Sequence, residues 1–285
     1  MSAAAEDIAK KSRSNLAFAL ACLPPERRED MITFYAFCRV VDDLADNDSV
    51  PKDARRETLA QWRMAVTEGA GTGLQKEVYD LAAKHGFPTV WLAEIIDGVA
   101  SDLDQDRYAD MEALLGYCYK VASVVGLVSA RIFGAAGHSC DEYAVKLGYA
   151  FQLTNIMRDV GQDAAETGRI YVPLDVMRKH GVTEQAILNC KREEGYTTLM
   201  NELYARADQY YTEARRALPR TERGAMIAAR MMDAIYSQIL VKLREGGYPS
   251  LERRERLSNG HKALILVRFL AEGWARRALD WLARD

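Results

Sequence analysis

The sequence is poor in the residues from which soft metal centres and disulfide frameworks are built. Its five cysteines (Cys22, Cys38, Cys118, Cys140 and Cys190) are odd in number and scattered, with no C-x-x-C pair, and its four histidines lie far apart. That gives no zinc or thiol-redox signature and suits a reducing cytoplasm. No uncharged apolar run reaches the ~18 residues that mark a membrane span, and "MSAAAEDIAKKSRSN" lacks the apolar centre of a signal peptide. The protein is therefore expected to be soluble and cytoplasmic, or peripheral to the membrane's inner face. No linker rich in Pro, Gly or Ser divides the 285 residues, so one domain is expected over 1–285, with residues 1–11 disordered. A net charge of −3 argues against a nucleic-acid partner. The absence of a G-x-x-x-x-G-K-[ST] loop argues against a P-loop nucleotide site.

What the chain does have is material for a large core, with 49% hydrophobic and 28% charged residues. From Glu26 onward the apolar pattern has a helical period, broken at Ala70–Gly73, Gly86–Pro88, Gly168–Pro173 and Gly246–Pro249. Helices are expected over 26–46, 52–68, 74–84, 88–105, 111–132, 140–163, 183–193, 196–217, 222–245 and 259–283. The architecture is expected to be all-α.

Two of these helices end in acid. In "FYAFCRVVDDLADND", Tyr35, Arg39, Asp42 and Asp46 share one stripe at about 100° per residue, with Asp43 at its edge. Carboxylates one turn apart, at ~6 Å and an effective dielectric near 20, repel by about 3 kcal/mol per pair. Something positive should complete the site. The stretch "FQLTNIMRDVGQDAAETGRIYVP" repeats the pattern, with Gln152, Asn155, Asp159 and Asp163 on one stripe and Arg158 beside it.

A lone D-x-x-x-D is usually a solvated helix face. Two copies, each closing an apolar helix and each preceded by an arginine, are explained together if they converge on one cavity. Hard carboxylate oxygens without His or Cys suit Mg²⁺, or Mn²⁺, and Mg²⁺ held this way usually shares its shell with substrate phosphates. Arg39, Arg158 and Arg169 would grip phosphate oxygens, because the guanidinium fork matches them. Removing one crowded aspartate is expected to leave the metal-free fold unharmed.

Next to this mouth, "YCYKVASVVGLVSARIFGAAG" places Tyr117, Val121, Val124 and Val128 on one stripe, with Ala122, Gly126 and Ala130 on another face small enough for close helix approach. Such a helix is either plain core or the wall of an apolar tunnel. Beside a diphosphate mouth, the tunnel reading implies a substrate with a long hydrocarbon tail.

The segments "YAFCRVVDDLAD", "YCYKVASVVGLVSARIFG" and "LTNIMRDVGQDAAETGRIYVP", in this order, resemble the squalene/phytoene synthase family of head-to-head prenyl synthases. The resemblance implies a single-domain isoprenoid-synthase helical bundle with a central cavity. By the same resemblance Asp42, Asp46, Asp159 and Asp163 look like metal ligands, with Asp43 assisting, and Arg39, Arg158 and Arg169 look like diphosphate contacts. Tyr35, Tyr117, Gln152 and Asn155 fall on positions lining the reacting centre, while Tyr171 is expected to be structural. The family often has a Ser-Phe pair where this chain has Asn15-Leu16, and "DAAETGRIYVP" runs one residue long.

The implied reaction condenses two farnesyl diphosphates to presqualene diphosphate in hopanoid or squalene biosynthesis. The runner-up is phytoene from two geranylgeranyl diphosphates, in a carotenoid context, or a complete squalene or dehydrosqualene synthase. NADPH use is left open, since no G-x-G-x-x-G follows a strand. A non-catalytic assembly factor is the alternative of another class, although both aspartate motifs are intact. Phe18, Leu20 and Ile32 are expected near the cavity end. The last helix, with Leu270, Trp274, Ala278 and Trp281 on one stripe and Arg276, Arg277 and Arg284 supplying charge, is read either as a closing helix of the bundle or as a weak contact with anionic membrane.

Overall fold

The computed structural model describes residues 19–282, with side chains described as far as residue 271. The expected disorder at 1–11, the Asn15–Leu16 departure, Phe18 and the Trp274, Ala278 and Trp281 stripe with its arginines lie outside the described residues or side chains. The helices are α1 (Pro25–Asp46), α2 (Lys52–Glu68), α3 (Leu74–His85), α4 (Val90–Ser101), α5 (Met111–Cys118), α6 (Val124–Phe133), α7 (Asp141–Thr167), α8 (Leu174–Lys179), α9 (Glu184–Leu188), α10 (Tyr196–Ala217), α11 (Ile227–Glu245) and α12 (Asn259–Leu282). A π-helical turn, Tyr119–Ser123, joins α5 to α6. Among the described residues there is no strand, only an isolated bridge between Arg107 and Ile170. The fold is all-α, as the sequence period indicates.

The bundle is organised on α7, whose 27 residues span about 40 Å. One side of it packs on α10, another on α6 and α11. Its buried residues, among them Tyr143, Leu147, Leu153 and Met157, join the core contributed by Phe34 and Phe37 of α1 and Leu199 and Tyr211 of α10. Small residues set the closest approaches. A Cβ on Gly148 would lie 2.4 Å from Ser123 Cα, and one on Gly126 2.9 Å from Ala144 O, so α6 and the π turn ride directly against α7. The segment Met111–Phe133 is long and apolar enough by composition to cross a membrane, but half of its most apolar window is buried in the bundle.

Several boundaries differ from expectation for local reasons. α7 runs one turn beyond Asp163 because the stop is Gly168, in the left-handed region at φ 69° with its N–H bonded to Ala164 O. α4 ends at Ser101 rather than 105, where the chain turns through Asp102–Asp104. The expected helix over 183–193 is only the single turn of α9, capped by the Thr183 hydroxyl. α8 was not anticipated in the breaker-rich stretch after Pro173.

The valine stripe is the main correction. Inside the π turn the Val124 N–H bonds back to Tyr119 O, five residues earlier, so one extra residue enters that turn. Every later side chain is displaced by one position. The cavity wall therefore continues from Tyr117 and Val121 to Val125 and Ser129, while Val124 and Val128 point into the packed core, fully buried. Gly126 does make the close helix approach expected of the small face.

Candidate active site

α1, α4, α5, the π turn, α6, α7 and α11 enclose a cavity of about 820 Å³. At its polar mouth stand Arg39, Asp42 and Asp43 from α1, Gln152 and Asn155 from α7, and Arg254 from the segment between α11 and α12. The far end is apolar, bounded by Met31, Phe34, Phe133, Tyr143 and Met226. Leu20 and Ile32 do not line it. Leu20 is buried in the core, and Ile32 is partly buried against the core, although its spacing to Tyr35 and Arg39 puts it near their face of α1.

On α1, Arg39 Nη1 donates to Asp42 Oδ2 at 2.8 Å, and its Nη2 donates to Asp43 Oδ1. On α7, Asp159 receives Arg158 Nε at 2.8 Å and Nη2 at 2.6 Å. The same carboxylate receives Arg254, with Nε 2.8 Å from Oδ1 and Nη2 2.9 Å from Oδ2. Arg169 ties the two sides together. Its Nη1 lies 3.3 Å from Asp46 Oδ1 and its Nη2 donates to Asp102 O at 3.2 Å. Asp46, Asp159, Asp163, Arg158 and Arg169 do not line the cavity itself; Asp159 joins it through Arg254, Asp46 joins it through Arg169 and Asp102, and Asp163 lies with Arg169 and Tyr171 at a small adjoining pocket.

Sequence reasoning missed two residues here. Asp102 lines the cavity and accepts hydrogen bonds from Tyr117 Oη at 3.0 Å and Tyr171 Oη at 3.3 Å. The three rings of Tyr108, Tyr117 and Tyr171 stack or tilt on one another at centroid distances of 5.4 to 5.8 Å. Tyr171, expected to be structural, thus also holds a carboxylate. The acid-rich run "DLDQDRYAD" after α4 was the available signal, and Asp102, Asp106 and Asp110 keep the i, i+4 spacing, but the segment is a turn and not a helix, so the spacing makes no shared face. Arg254, in "LERRERLS", is indistinguishable in sequence from its arginine neighbours.

Six carboxylates (Asp42, Asp43, Asp46, Asp102, Asp159 and Asp163) face four guanidiniums (Arg39, Arg158, Arg169 and Arg254), so negative charge is left over. Its effect is visible in the acidities. Burial, then the nearby Asp46, pushes Asp42 up to about 6 against the pull of Arg39. Burial, then Asp159, pushes Asp163 up to about 7 against Arg169, Arg254 and Arg158. Burial raises Asp102 to about 6, opposed by Arg169 and the two tyrosine hydroxyls. Tyr117 is driven well above its ordinary value by burial and by Asp102, so it stays protonated.

The donor set fits a hard divalent cation shared with phosphate oxygens. Among the described residues no group of three or more acidic, His or Cys side chains is gathered closely enough to hold a metal by itself, so an ion here would need oxygens from substrate or water as well. Asn155 Oδ1 is buried with no protein partner, an acceptor suited to an ordered water at the same mouth.

The sequence profile of the squalene/phytoene synthase family matches residues 9–261. The presqualene diphosphate synthase of Rhodopseudomonas palustris is 34% identical over 255 residues, covering 88% of this chain and 91% of that protein. The phytoene synthase of Thermus thermophilus is 35% identical over 262 residues, covering 87% and 85%. Among solved structures, a dehydrosqualene synthase crystallised with a ligand superposes with a TM-score of 0.82 at 26% identity, over 94% of each chain.

Proposed function

The chain belongs to the squalene/phytoene synthase family of prenyl-transferring enzymes, and from that premise we propose that it condenses two farnesyl diphosphates head to head into presqualene diphosphate. The observation that carries this reading is a charged mouth, rich in arginine and aspartate, opening directly onto an apolar pocket of ligand size. An allylic diphosphate has the same division of chemistry.

In the proposed reaction the C1–O bond of one substrate breaks and its electron pair leaves with diphosphate. The C2–C3 π bond of the second substrate attacks the allylic cation, and loss of one proton closes the cyclopropane. Arg39 and Arg254 at the mouth, with Arg169 behind it, would meet the departing oxygens, and Arg158 would fix Asp159 from behind. Asp42, Asp46, Asp159 and Asp163, with Asp43 and Asp102 beside them, would hold Mg²⁺, or Mn²⁺. When bound, the ion supplies positive charge to the leaving group. Tyr35 and Tyr117 line the cavity, where an aromatic ring would stabilise developing positive charge. Tyr117 is committed to Asp102, so this pair is a route by which the lost proton is received.

The reaction draws on residues from α1 to the segment before α12, so the chain is read as one domain. All five cysteines are free, which supports a reducing, cytoplasmic setting. Phytoene synthesis from geranylgeranyl diphosphate is the second reading, favoured by an identity to the Thermus thermophilus enzyme as high as that to the presqualene diphosphate synthase. Against it stand the bulky side chains at the apolar end. Incubation with each diphosphate and Mg²⁺, with and without nicotinamide reductant, followed by mass identification of the lipids, tests the reading. Presqualene diphosphate from the shorter substrate without reductant is expected. Phytoene from the longer one, with little turnover of the shorter, overturns it, and squalene formed only with reductant extends it.

A further inference from the structure

The stretch "LERRERLS" between α11 and α12 holds three arginines within four residues, and of these only Arg254 lines the cavity mouth. Their chemistry is the same, so the path of the chain must choose among them. Residues 253–258 form neither helix nor turn, and within them Glu255 and Leu257 are buried while Arg254, Arg256 and Ser258 are exposed. This alternation is that of extended chain, whose successive side chains point to opposite sides. A slip of one residue would exchange the sides and take Arg254 from the mouth.

A buried carboxylate holds that register. Glu255 is 6% exposed, with Lys242 Nζ 2.6 Å from its Oε2 and Arg253 Nε donating to its Oε1 at 2.9 Å. Lys242 also donates to the backbone of the segment, at Arg256 O, 2.9 Å away. The Lys242 ammonium, opposed by burial and joined by Arg253, holds the Glu255 carboxyl below its ordinary range, so the group is ionised. A buried charge with two cationic partners is confined to their reach, because leaving them strands it. Arg253 is thereby turned back on its own chain. Arg254, on the opposite side, reaches Asp159 with Nε 2.8 Å from Oδ1 and Nη2 2.9 Å from Oδ2. Lys242 belongs to α11, which also contributes Ala229, Met232 and Tyr236 to the cavity wall. One helix thus sets both the apolar wall and the reach of the arginine.

We propose that Glu255, tied to Lys242 and Arg253, is a positioning residue that sets the register of residues 253–258 and so presents Arg254 to Asp159 and to diphosphate, resting on the reading above in which Arg254 meets the departing oxygens. Glu255 itself does not line the cavity. Its effect on binding must therefore pass through Arg254.

The test is calorimetric titration of the full chain with inorganic diphosphate in the presence of Mg²⁺, together with KM and kcat for condensation of farnesyl diphosphate. Glu255→Gln keeps the size and loses the charge, and should weaken diphosphate binding about tenfold, within the ~10²-fold that a misplacement near 1 Å can cost. KM should rise by a similar factor with kcat little changed, the pattern of binding lost equally from ground and transition states. Lys242→Met should act in the same direction, and Lys242→Arg, which keeps the charge, should bind as the wild type does. The decisive variant combines Glu255→Gln with Arg254→Gln. Because Glu255 acts through Arg254, the double variant should bind diphosphate no more weakly than Arg254→Gln alone. Losses that add overturn the proposal, since Glu255 would then support the fold without aiming the arginine. So does wild-type affinity in a Glu255→Gln protein whose circular dichroism shows it folded. Should that variant fail to fold, Lys242→Met, at a side chain 48% exposed, carries the same comparison with Arg254→Gln. Undiminished affinity in Arg254→Gln leaves nothing to position and overturns the proposal as well. Condensation that fails in every protein, wild type included, counts against the proposed reaction, while the diphosphate titration still decides the role of Glu255.

Discussion

The two aspartate walls carry the same D-x-x-x-D pattern and meet their charge in different ways. On α1, Asp42 and Asp43 keep 46% and 64% of their side chains exposed, and Arg39, which answers both, comes from the preceding turn of the same helix. On α7, Asp159 is only 14% exposed and is clasped by Arg158 of its own helix and Arg254 of a distant segment. A same-helix surface pair contributes a few tenths of a kcal/mol and is easily exchanged for another partner. A largely buried carboxylate between two guanidiniums is fixed by tertiary structure. The first wall is thus open to rearrangement when a diphosphate arrives, and the second is already set.

The sharpest way to break this comparison is to remove one aspartate from each wall. Asp42→Ala and Asp159→Ala should each lower condensation by about 10³-fold, as loss of leaving-group stabilisation does. Their stabilities should diverge. Asp42→Ala relieves crowding with Asp46, and its metal-free thermal midpoint should stay at or above wild type. Asp159→Ala leaves Arg158, 10% exposed, without its carboxylate, and should cost about 3 kcal/mol. The sequence-based expectation that either removal is harmless to the fold is thus kept for the first wall and replaced by an expected loss of stability at the second. Thermal midpoints and diphosphate release measured side by side decide it, and equal stabilities would erase the distinction.

A smaller effect should follow from disturbing the distant half of the second clasp. Arg254 is carried by a segment that presses on α7 at Gly161, where a Cβ would lie 2.6 Å from Ser250 O and 2.9 Å from Leu251 Cα. Arg192 holds the same segment by donating to Gly247 O at 3.0 Å and to Tyr248 O at 2.5 Å. Gly161→Ala should push the segment outward and draw Arg254 off Asp159. A displacement near 1 Å can cost up to about 10²-fold, and the loss should appear mainly in KM for the diphosphate. An unchanged KM in a folded Gly161→Ala protein would remove Arg254 from the binding role.

This division also explains what was legible in sequence. Asp42, Asp46, Asp159 and Asp163 announce themselves because a helix converts spacing into a shared face, and helical period alone yields the all-α class and most helix positions. Asp102 and Arg254 become meaningful only when tertiary structure brings Tyr117, Tyr171 and Asp159 to them. The valine stripe failed on a single hydrogen bond: a π turn is invisible to a 3.6-residue period, yet one added residue rotates Val124 and Val128 out of the wall and Val125 and Ser129 into it. Leu20 and Ile32 were placed near the cavity end by bulk, whereas Met31 and Phe34 of α1 line it; Phe18 lies outside the described residues.

The smallest effect expected is a pH dependence that the two walls share and that a cation and diphosphate should reverse. Asp42 at about 6 and Asp163 at about 7 hold protons in the folded, metal-free protein, whereas an unfolded chain releases them near the ordinary carboxylate value of 3.8. Between those values the native state binds more protons, so its stability falls as pH rises. The penalty is absent below the ordinary value and complete above pH 7. Allowing for the partial exposure of both groups, it amounts to about 2 kcal/mol. Thermal midpoints without metal should therefore drop between pH 5 and pH 8, and Asp163→Asn should flatten more of that slope than Asp42→Asn, because the Asp163 shift is the larger. Mg²⁺ with inorganic diphosphate should favour the ionised carboxylates and drive protons off. Calorimetry near pH 6.5 in buffers of different ionisation enthalpy reads that release directly. Binding without proton release would mean that the crowded carboxylates of the two walls are not where the ion and the diphosphate meet.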